Sequence, residues 1–140
     1  MEWMDPIYNC GHWIPYQIAQ AGGVDMLSNP SGYSIAIPWE KVCQYNPEVI
    51  IIAPCGFNVE RSSKEMGILS IKEGWDSIVA VKNNKVYLAN AEYFTQPGTS
   101  LVDGIELLAA LFHPTIFTVP EKLSHSYQRV NKSSHHINIM

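Results

Sequence analysis

The stretch from Asn46 to Phe57 constrains the fold more than any other part of the sequence. Its centre, Val49 to Ile52, is a run of four β-branched residues with no polar side chain to face water. Such a run is typical of a strand covered on both faces, as in a parallel α/β sheet. Pro47 ends any preceding helix, and the residues from Pro54 predict a loop at the strand's end. Ligands of open α/β sheets bind outside the carboxyl ends of strands, so Pro54 to Phe57 is a first candidate site.

The rest of the chain alternates between predicted strands and helices. Strands are expected at Trp3–Met4, Tyr33–Ile37, Val49–Ala53 and Val86–Ala89. Helices are expected at Ile14–Ala21, Trp39–Tyr45, Val59–Leu69 and Ser100–Phe112, with a packed turn at Gly74–Ile78. Tyr33–Ile37, the helix after it and Val49–Ala53 predict a parallel strand–helix–strand unit. The alternation predicts an α/β domain, a three-layer Rossmann-like lobe with a mostly parallel sheet.

The last predicted helix has a clear apolar stripe, and the chain changes character after it. The residues expected to be buried are Leu101, Ile105, Leu108, Ala109 and Phe112. Beyond Pro120 the sequence is polar and aperiodic. The chain is therefore divided into a domain at residues 1–116 and a polar tail at residues 117–140, which is expected to be poorly ordered.

Composition and charge exclude several classes of function. With 46% apolar and 16% charged residues among 140, the chain is expected to fold rather than to be disordered. A net charge of −4 gives no reason to expect nucleic acid or an anionic membrane as a partner. The three cysteines have no CxxC spacing, which argues against a disulfide framework and a structural zinc site. No signal peptide is visible at the N-terminus.

Several short motifs occur in an order typical of one protein family. They are Trp3-Met4-Asp5-Pro6, Gly11-His12-Trp13-Ile14-Pro15, Ala21-Gly22-Gly23, Pro38-Trp39-Glu40, Asn46-Pro47-Glu48-Val49-Ile50-Ile51, Pro54-Cys55-Gly56-Phe57, Ala80-Val81-Lys82-Asn83-Asn84-Lys85-Val86-Tyr87, Pro97-Gly98 and Leu101-Val102-Asp103-Gly104. In this order they resemble the C-terminal lobe of the class III substrate-binding proteins of ABC transporters. Within that class they are most similar to the cobalamin (vitamin B12) binding branch. The resemblance covers Glu2 to Pro114.

The resemblance implies a function without catalysis and without a cofactor. Proteins of this kind hold a solute in a cleft between two lobes, so this lobe would form half of a cleft for a corrinoid such as cobalamin. The implied partners are the N-terminal lobe, which the matched region lacks, and an ABC permease. The lobe face that the other half covers is expected to be exposed, which also makes a homodimer an expectation. The implied location is periplasmic or at the cell surface, whereas a complete chain without a signal peptide would be cytoplasmic.

The candidate ligand-binding residues come from the loops at the predicted strand ends. They are Trp13, Trp39, Phe57, Tyr93, Phe94, Gly56 and His12. Aromatic rings offer flat apolar faces to a corrin, and a glycine lets the backbone approach closely. The resemblance assigns Trp39 to corrin contact and Glu40 to pairing with permease arginines. For each residue the competing interpretation is structural: aromatic packing on the domain's own core, a polar loop position for His12, and helix-dipole stabilisation for Glu40.

Three other functions stay open at this point. A lobe that binds an iron siderophore or haem would need arginines for an anionic ligand, and Arg61 and Arg129 are the only two arginines. A small enzyme would use Cys55 as a nucleophile with a histidine such as His12. A degenerate lobe would survive as an interaction module. The scarcity of arginine favours the corrinoid over the siderophore.

Overall fold

The structure is a computed structural model that describes residues 1–96 and 98–131. Pro97, which belongs to one of the motifs, and residues 132–140 of the predicted tail lie outside the described residues. In chain order the elements are β1 (Trp3–Met4), β2 (Ile7–Tyr8), α1 (Ile14–Gln20), α2 (Trp39–Tyr45), β3 (Ile50–Ile52), α3 (Val59–Glu65), α4 (Gly67–Ser70), a 3-10 turn (Trp75–Ser77), α5 (Val79–Lys82), β4 (Val86–Ala89), α6 (Glu92–Thr95), α7 (Ser100–Phe112), a second 3-10 turn (Glu121–Leu123) and β5 (Tyr127–Arg129). None of the described helices has the length and apolarity needed to cross a bilayer.

The central sheet is mixed rather than mostly parallel. Its strand order is β3-β4-β5, with β3 parallel to β4 and β5 antiparallel to β4. A separate two-stranded sheet pairs β1 with β2 in an antiparallel hairpin. The predicted α/β class is confirmed, and the correction concerns only the direction of the sheet's third strand.

The two faces of the sheet are covered by different helices, as the unbroken β-branched run predicts. Ile50 and Ile52 pack into one core with α2, α3, α4 and α5, named here the Ile52 core. Val49 and Ile51 pack against the opposite core with α1, α6 and α7, named here the Leu107 core. Since side chains alternate across a strand, four consecutive apolar residues supply two to each core.

The helix predictions hold best where a proline marks a helix end. The bounds of α2 and α7 match the prediction, whereas the helix expected at residues 59–69 is interrupted at Met66 between α3 and α4. The buried stripe of α7 is rotated relative to the expected one. Its fully buried residues are Gly104, Leu107, Leu108, Ala110 and Leu111, because α7 contacts both α1 and α6. The sequence pattern does not predict the short helices α5 and α6.

The strand expected at Tyr33–Ile37 is wrong. This segment makes one isolated bridge, between Ala36 and Tyr8, and follows residues 7–12 as an irregular chain. The Asn9 side chain accepts a hydrogen bond from the Ile35 N–H at 2.7 Å, where a regular ladder would use a backbone carbonyl. The predicted parallel unit is therefore also wrong, and the parallel neighbour of β3 is β4.

Residues 121–131, expected to belong to a poorly ordered tail, instead complete the sheet. β5 pairs with β4, and Leu123 is buried in the Leu107 core. The Lys122 ammonium lies 2.7 Å from the Asp103 carboxylate, which fixes the second 3-10 turn to α7. That hydrogen bond and the charge of Asp103 raise the pKa of Lys122. β5 is a polar edge strand without an apolar run, so the sequence pattern does not distinguish it from a disordered tail.

Candidate functional site

The loops that follow β3 and β4 lie at one edge of the sheet, named here the carboxyl edge. The strands are parallel, so their carboxyl ends meet there. The Ala91 N–H donates to the Phe57 carbonyl at 3.0 Å, and the Val59 N–H donates to the Asn90 side-chain oxygen at 2.9 Å. These bonds join the loop after β3 to the start of α6. The edge is therefore a connected surface.

Trp13, Tyr93 and Phe94 meet at this edge, on the side of the Leu107 core. The Trp13 indole Nε1 donates to the Phe94 carbonyl at 2.6 Å. The buried Gln17 side chain donates to the Tyr93 carbonyl at 2.9 Å, which fixes α1 against α6. The Tyr93 hydroxyl lies 2.8 Å from the Ser126 hydroxyl. Three of the seven predicted ligand-binding residues are thus held together by hydrogen bonds.

The His12 ring lies next to Trp13 and contacts Tyr33, a residue that the sequence interpretation did not assign to the site. Its ring centroid lies 5.7 Å from that of Trp13 and 5.1 Å from that of Tyr33. His12 has a φ of 55°, and its N–H donates to the Gly32 carbonyl at 2.8 Å. Tyr33 is 76% exposed. Its position beside Gly32 in a polar segment signals a loop, but this signal does not show the contact with His12.

Gly56 and Phe57 form the part of the edge that follows β3. Gly56 is exposed, with a φ of 80° that favours glycine, and a Cβ there would meet nothing within 4 Å. The Phe57 ring packs edge-on against Trp3 at 5.2 Å, and the Arg61 guanidinium lies 4.1 Å from its centroid. Gly56 and Arg61 line a shallow groove with Asn58 and Lys64. Glu60 and Glu65 line the same groove, and the Lys64 ammonium lies 3.6 Å from the Glu60 carboxylate. The Arg61 charge therefore lies among both basic and acidic side chains.

Trp39 and Glu40 lie in the first turn of α2, on the side of the Ile52 core. The Trp39 ring stacks on Trp75 at 6.1 Å, and its Nε1 donates to the Glu73 carbonyl at 2.7 Å. Glu40 is exposed. The structure thus assigns Trp39 and Trp13 to opposite faces of the sheet.

The predicted aromatic residues differ widely in the surface that they offer. Phe94 is 3% exposed and Phe57 is 7% exposed, so both rings lie mainly inside the protein. Trp13, Trp39 and Tyr93 are half-buried, and His12 is exposed. Four residues with accessible rings lie at or next to the carboxyl edge on the Leu107 side. They are His12, Trp13, Tyr33 and Tyr93, named here the aromatic group.

The cysteines do not form a reactive centre with neighbouring acids and bases. Cys10 is buried and lies 3.2 Å from the Asp25 carboxylate. Burial raises the pKa of the Cys10 thiol to about 12, so this thiol stays protonated at neutral pH. Cys55 is exposed. Among the described residues, no group of three or more His, Cys, Asp or Glu side chains is arranged to hold a metal ion.

The sequence and fold are similar to those of known binding proteins. A family model described as periplasmic binding protein matches residues 6–93, more than half of the chain. The uncharacterized ABC transporter substrate-binding lipoprotein YvrC of Bacillus subtilis strain 168 is 30% identical over 78 residues. That match covers 56% of this chain and 22% of the lipoprotein.

Three solved structures share the fold at low sequence identity. The TroA-like periplasmic binding protein FepB from Veillonella parvula has a TM-score of 0.68 at 21% identity, over 86% of this chain and 42% of that one. An ABC-type Fe3+-hydroxamate transport system protein from Saccharomonospora viridis DSM 43017 has a TM-score of 0.63 at 19% identity, over 75% and 36%. A periplasmic heme binding protein from Pseudomonas aeruginosa has a TM-score of 0.57 at 20% identity, over 71% and 35%. The chain spans less than half the length of each of these relatives.

Proposed function

The chain belongs to the periplasmic binding protein family, and on that premise we propose that it forms one wall of a solute-binding cleft. The solute would be carried to an ABC permease, and the chain itself would catalyse no reaction. A protein with this function works outside the cytoplasm. A cleft completed by a second lobe gives the ligand a second wall, so we expect this lobe alone to bind weakly.

The observation that carries the proposal is the aromatic group at the carboxyl edge. Two of its rings are anchored: the Trp13 indole donates to the Phe94 carbonyl at 2.6 Å, and the Tyr93 hydroxyl lies 2.8 Å from the Ser126 hydroxyl. Anchored aromatic rings lose little conformational entropy when they bind a flat ligand. The carboxyl ends of parallel strands are also where open α/β sheets bind their ligands. Both features suit a solute with a large apolar face.

The ligand class that fits this surface best is a metal chelate with a broad organic face, and we propose a corrinoid such as cobalamin. Arg129 belongs to β5 and does not lie in the loops of the carboxyl edge. Its guanidinium lies 3.4 Å from the Tyr87 hydroxyl. The aromatic group itself contains no arginine or lysine. A neutral or weakly charged chelate therefore matches it better than a strongly anionic one.

An anionic iron chelate is the second candidate, and Arg61 is the observation that favours it. Its guanidinium covers Phe57 beside the exposed Gly56 and carries no ion pair among the described salt bridges, whereas Lys64 in the same groove pairs with Glu60. Arginine is well suited to carboxylate groups such as haem propionates. Two of the structurally similar proteins are a periplasmic heme binding protein and a protein of an Fe3+-hydroxamate transport system.

Titration with cyanocobalamin, haemin and a ferric trihydroxamate tests the proposal, with equilibrium dialysis as the measurement. We expect cyanocobalamin to bind, and Tyr33→Ala to weaken its binding by about three- to tenfold, because an aromatic contact contributes ~0.5–1.5 kcal/mol. Tyr16→Ala is the matched control, since Tyr16 is 63% exposed but lies outside the aromatic group. Trp39→Phe shows whether the Ile52 side of the lobe takes part.

The outcomes separate the ligand classes. Binding of haemin or the ferric chelate, lost in Arg61→Gln and retained in Tyr33→Ala, would establish the second candidate. Equal affinities for Tyr33→Ala and Tyr16→Ala would remove the aromatic group from the site. No binding of any of the three chelates at millimolar concentration would contradict a solute-binding function for this lobe.

We further propose Glu40 as the residue that contacts the permease. It is exposed in the first turn of α2, where a carboxylate can reach a partner's arginines without losing its position on a rigid helix. Glu40→Gln is expected to slow association with permease-containing vesicles, more strongly at low salt. Glu48→Gln, at another exposed glutamate, is the control. Identical rates for the two variants would argue against this contact.

A further inference from the structure

A third segment reaches the carboxyl edge beside the loops that follow β3 and β4. It consists of residues 124–126, between the second 3-10 turn and β5, and is named here the Ser126 segment. Because β5 is antiparallel to β4, its first residue, Tyr127, pairs with Ala89, the last residue of β4. The residues just before Tyr127 therefore lie at the same edge as the loops of the candidate site.

Ser126 joins this segment to the loop after β4. The Asn90 N–H donates to the Ser126 carbonyl at 2.9 Å, and the Ser126 hydroxyl lies 2.8 Å from the Tyr93 hydroxyl. Ser126 is 5% exposed, so its side chain is largely shielded from water. The outer end of the Tyr93 ring is thus held by a residue from the other side of β4.

The Ser126 segment is also anchored to the body of the domain. The Ser126 N–H donates to the carbonyl of Leu123, which is 2% exposed in the Leu107 core. The Lys122 ammonium lies 2.7 Å from the Asp103 carboxylate, which ties the preceding turn to α7. A side chain on an anchored segment needs little ordering when a ligand arrives, so a contact there costs less free energy.

His125 is the exposed residue with the longest polar side chain in the Ser126 segment. Its Cα lies about 3.8 Å from that of Ser126, as for any two consecutive residues. A neutral imidazole donates one hydrogen bond and accepts another. Lys122, on the neighbouring turn, already pairs with Asp103. His125 therefore brings hydrogen-bonding groups next to Tyr93 at the border of the aromatic group.

We propose that the Ser126 segment is a further part of the solute site, in which His125 hydrogen-bonds the polar rim of the chelate and Ser126 positions the Tyr93 ring. This inference rests on the proposed function, because it concerns the same ligand. A chelate whose face lies on the aromatic group presents its rim to the segment beside Tyr93. A corrinoid carries carboxamide groups on that rim, and an imidazole can bond to either the oxygen or the N–H of a carboxamide. The segment adds selectivity to a surface that otherwise binds through apolar contact.

Equilibrium dialysis with cyanocobalamin tests the role of His125. We expect His125→Ala to weaken binding by about two- to tenfold, the loss of one hydrogen bond, and His125→Gln to retain most of the affinity. Gln128→Ala is the control, because Gln128 is exposed on β5 but pairs with Leu88, farther from the edge. The C–H proton NMR signals of the His125 ring should also shift when cyanocobalamin is added to the wild-type protein.

A double-mutant cycle tests the role of Ser126. Ser126→Ala and Tyr93→Phe each remove one of the two hydroxyls that lie 2.8 Å apart. If Ser126 acts through Tyr93, the double variant should bind cyanocobalamin no more weakly than Tyr93→Phe alone. Additive losses would contradict this positioning role, because they would show that Ser126 acts independently of Tyr93.

The outcomes distinguish this inference from the proposed function. If the wild type binds cyanocobalamin, wild-type affinity of His125→Ala together with unshifted His125 signals would overturn the inference and leave the proposed function standing. An equal loss in His125→Ala and Gln128→Ala would also overturn it. Failure of the wild type to bind cyanocobalamin would contradict the corrinoid proposal and this inference together.

Discussion

Replacing Trp75 with alanine is expected to lower the free energy of unfolding by about 3–5 kcal/mol, which is a large fraction of the stability of a typical domain. Trp75 is 1% exposed in the Ile52 core, where it stacks on Trp39. Its truncation removes apolar contacts and leaves a cavity that the rigid elements around it can fill only in part. Urea denaturation followed by circular dichroism measures the change.

Trp75→Phe provides the comparison that isolates the cavity. The Trp75 Nε1 is buried without a hydrogen-bond partner among the described residues. Phenylalanine is smaller, which lowers the stability, but it also removes this unpaired donor, which offsets part of the loss. We expect this variant to cost less than about 2 kcal/mol. Equal losses for the two variants would show that the stability depends on the indole itself. A loss below about 1 kcal/mol for alanine would show that the core can collapse around the site.

Replacing Gly104 with alanine is expected to destabilise the protein by about 2 kcal/mol, although alanine normally stabilises a helix. Gly104 is buried in α7, and a Cβ there would lie 2.5 Å from the Tyr93 carbonyl oxygen and 2.7 Å from the Gln17 Nε2. These are the two atoms of the hydrogen bond that holds α1 against α6. To relieve the clash, α7 must move away from both helices.

Gly67→Ala is the matched control for the Gly104 variant. Gly67 begins α4, and a Cβ there would meet no atom within 4 Å. We expect it to leave the stability unchanged or to raise it by about 0.5–1 kcal/mol, by reducing the freedom of the unfolded chain. Thermal unfolding of the two variants tests the difference. If Gly104→Ala were as stable as Gly67→Ala, the close approach of α7 to α6 would not be a constraint on the fold.

Gly104 also connects the stability of the fold to the proposed binding surface. The clash would displace the Tyr93 backbone, and Tyr93 belongs to the aromatic group. The Gly104 variant should therefore weaken binding of the chelate that the wild-type protein binds, under conditions where it is still folded. Gly67→Ala should bind that chelate as the wild type does.

The parts of the fold that were predictable are those in which one local pattern decides the outcome. Val49 to Ile52 required cover on both faces, and two separate cores provide it. The bounds of α2 and α7 follow from Pro38 before one helix and from Pro114 near the end of the other. In each case neighbouring residues in the sequence contain the whole signal.

The errors arise where a distant residue decides the local structure. Tyr33–Ile37 has β-type composition, but the Asn9 side chain takes the Ile35 N–H and prevents a regular ladder. β5 has the sequence Tyr-Gln-Arg, which shows no apolar pattern, and becomes a strand only because β4 has a free edge. No window of the sequence around either segment shows these partners.

In the candidate site, too, local patterns were predictable and contacts between distant residues were not. The sequence identified Trp13, Tyr93 and Phe94 as loop aromatics, because they follow strand ends and lie in recognisable motifs. It could not show that the Trp13 indole bonds the Phe94 carbonyl, since the two residues are 81 positions apart. Nor could it show that the Phe57 ring is largely covered by Trp3 and Arg61. The sequence predicted that aromatic residues follow the strand ends, but it did not predict how much of each ring is exposed.

The position of β5 makes the sheet vulnerable during synthesis. Residues 127–130 pair with β4, and the Val130 N–H donates to the Val86 carbonyl at 2.8 Å. Until this segment leaves the ribosome, one side of β4 stays unpaired, and unpaired strand edges associate with other chains. A shortened protein that ends near residue 116 would keep that edge permanently and would be prone to aggregate. Expression of this domain should therefore retain the chain at least to residue 130.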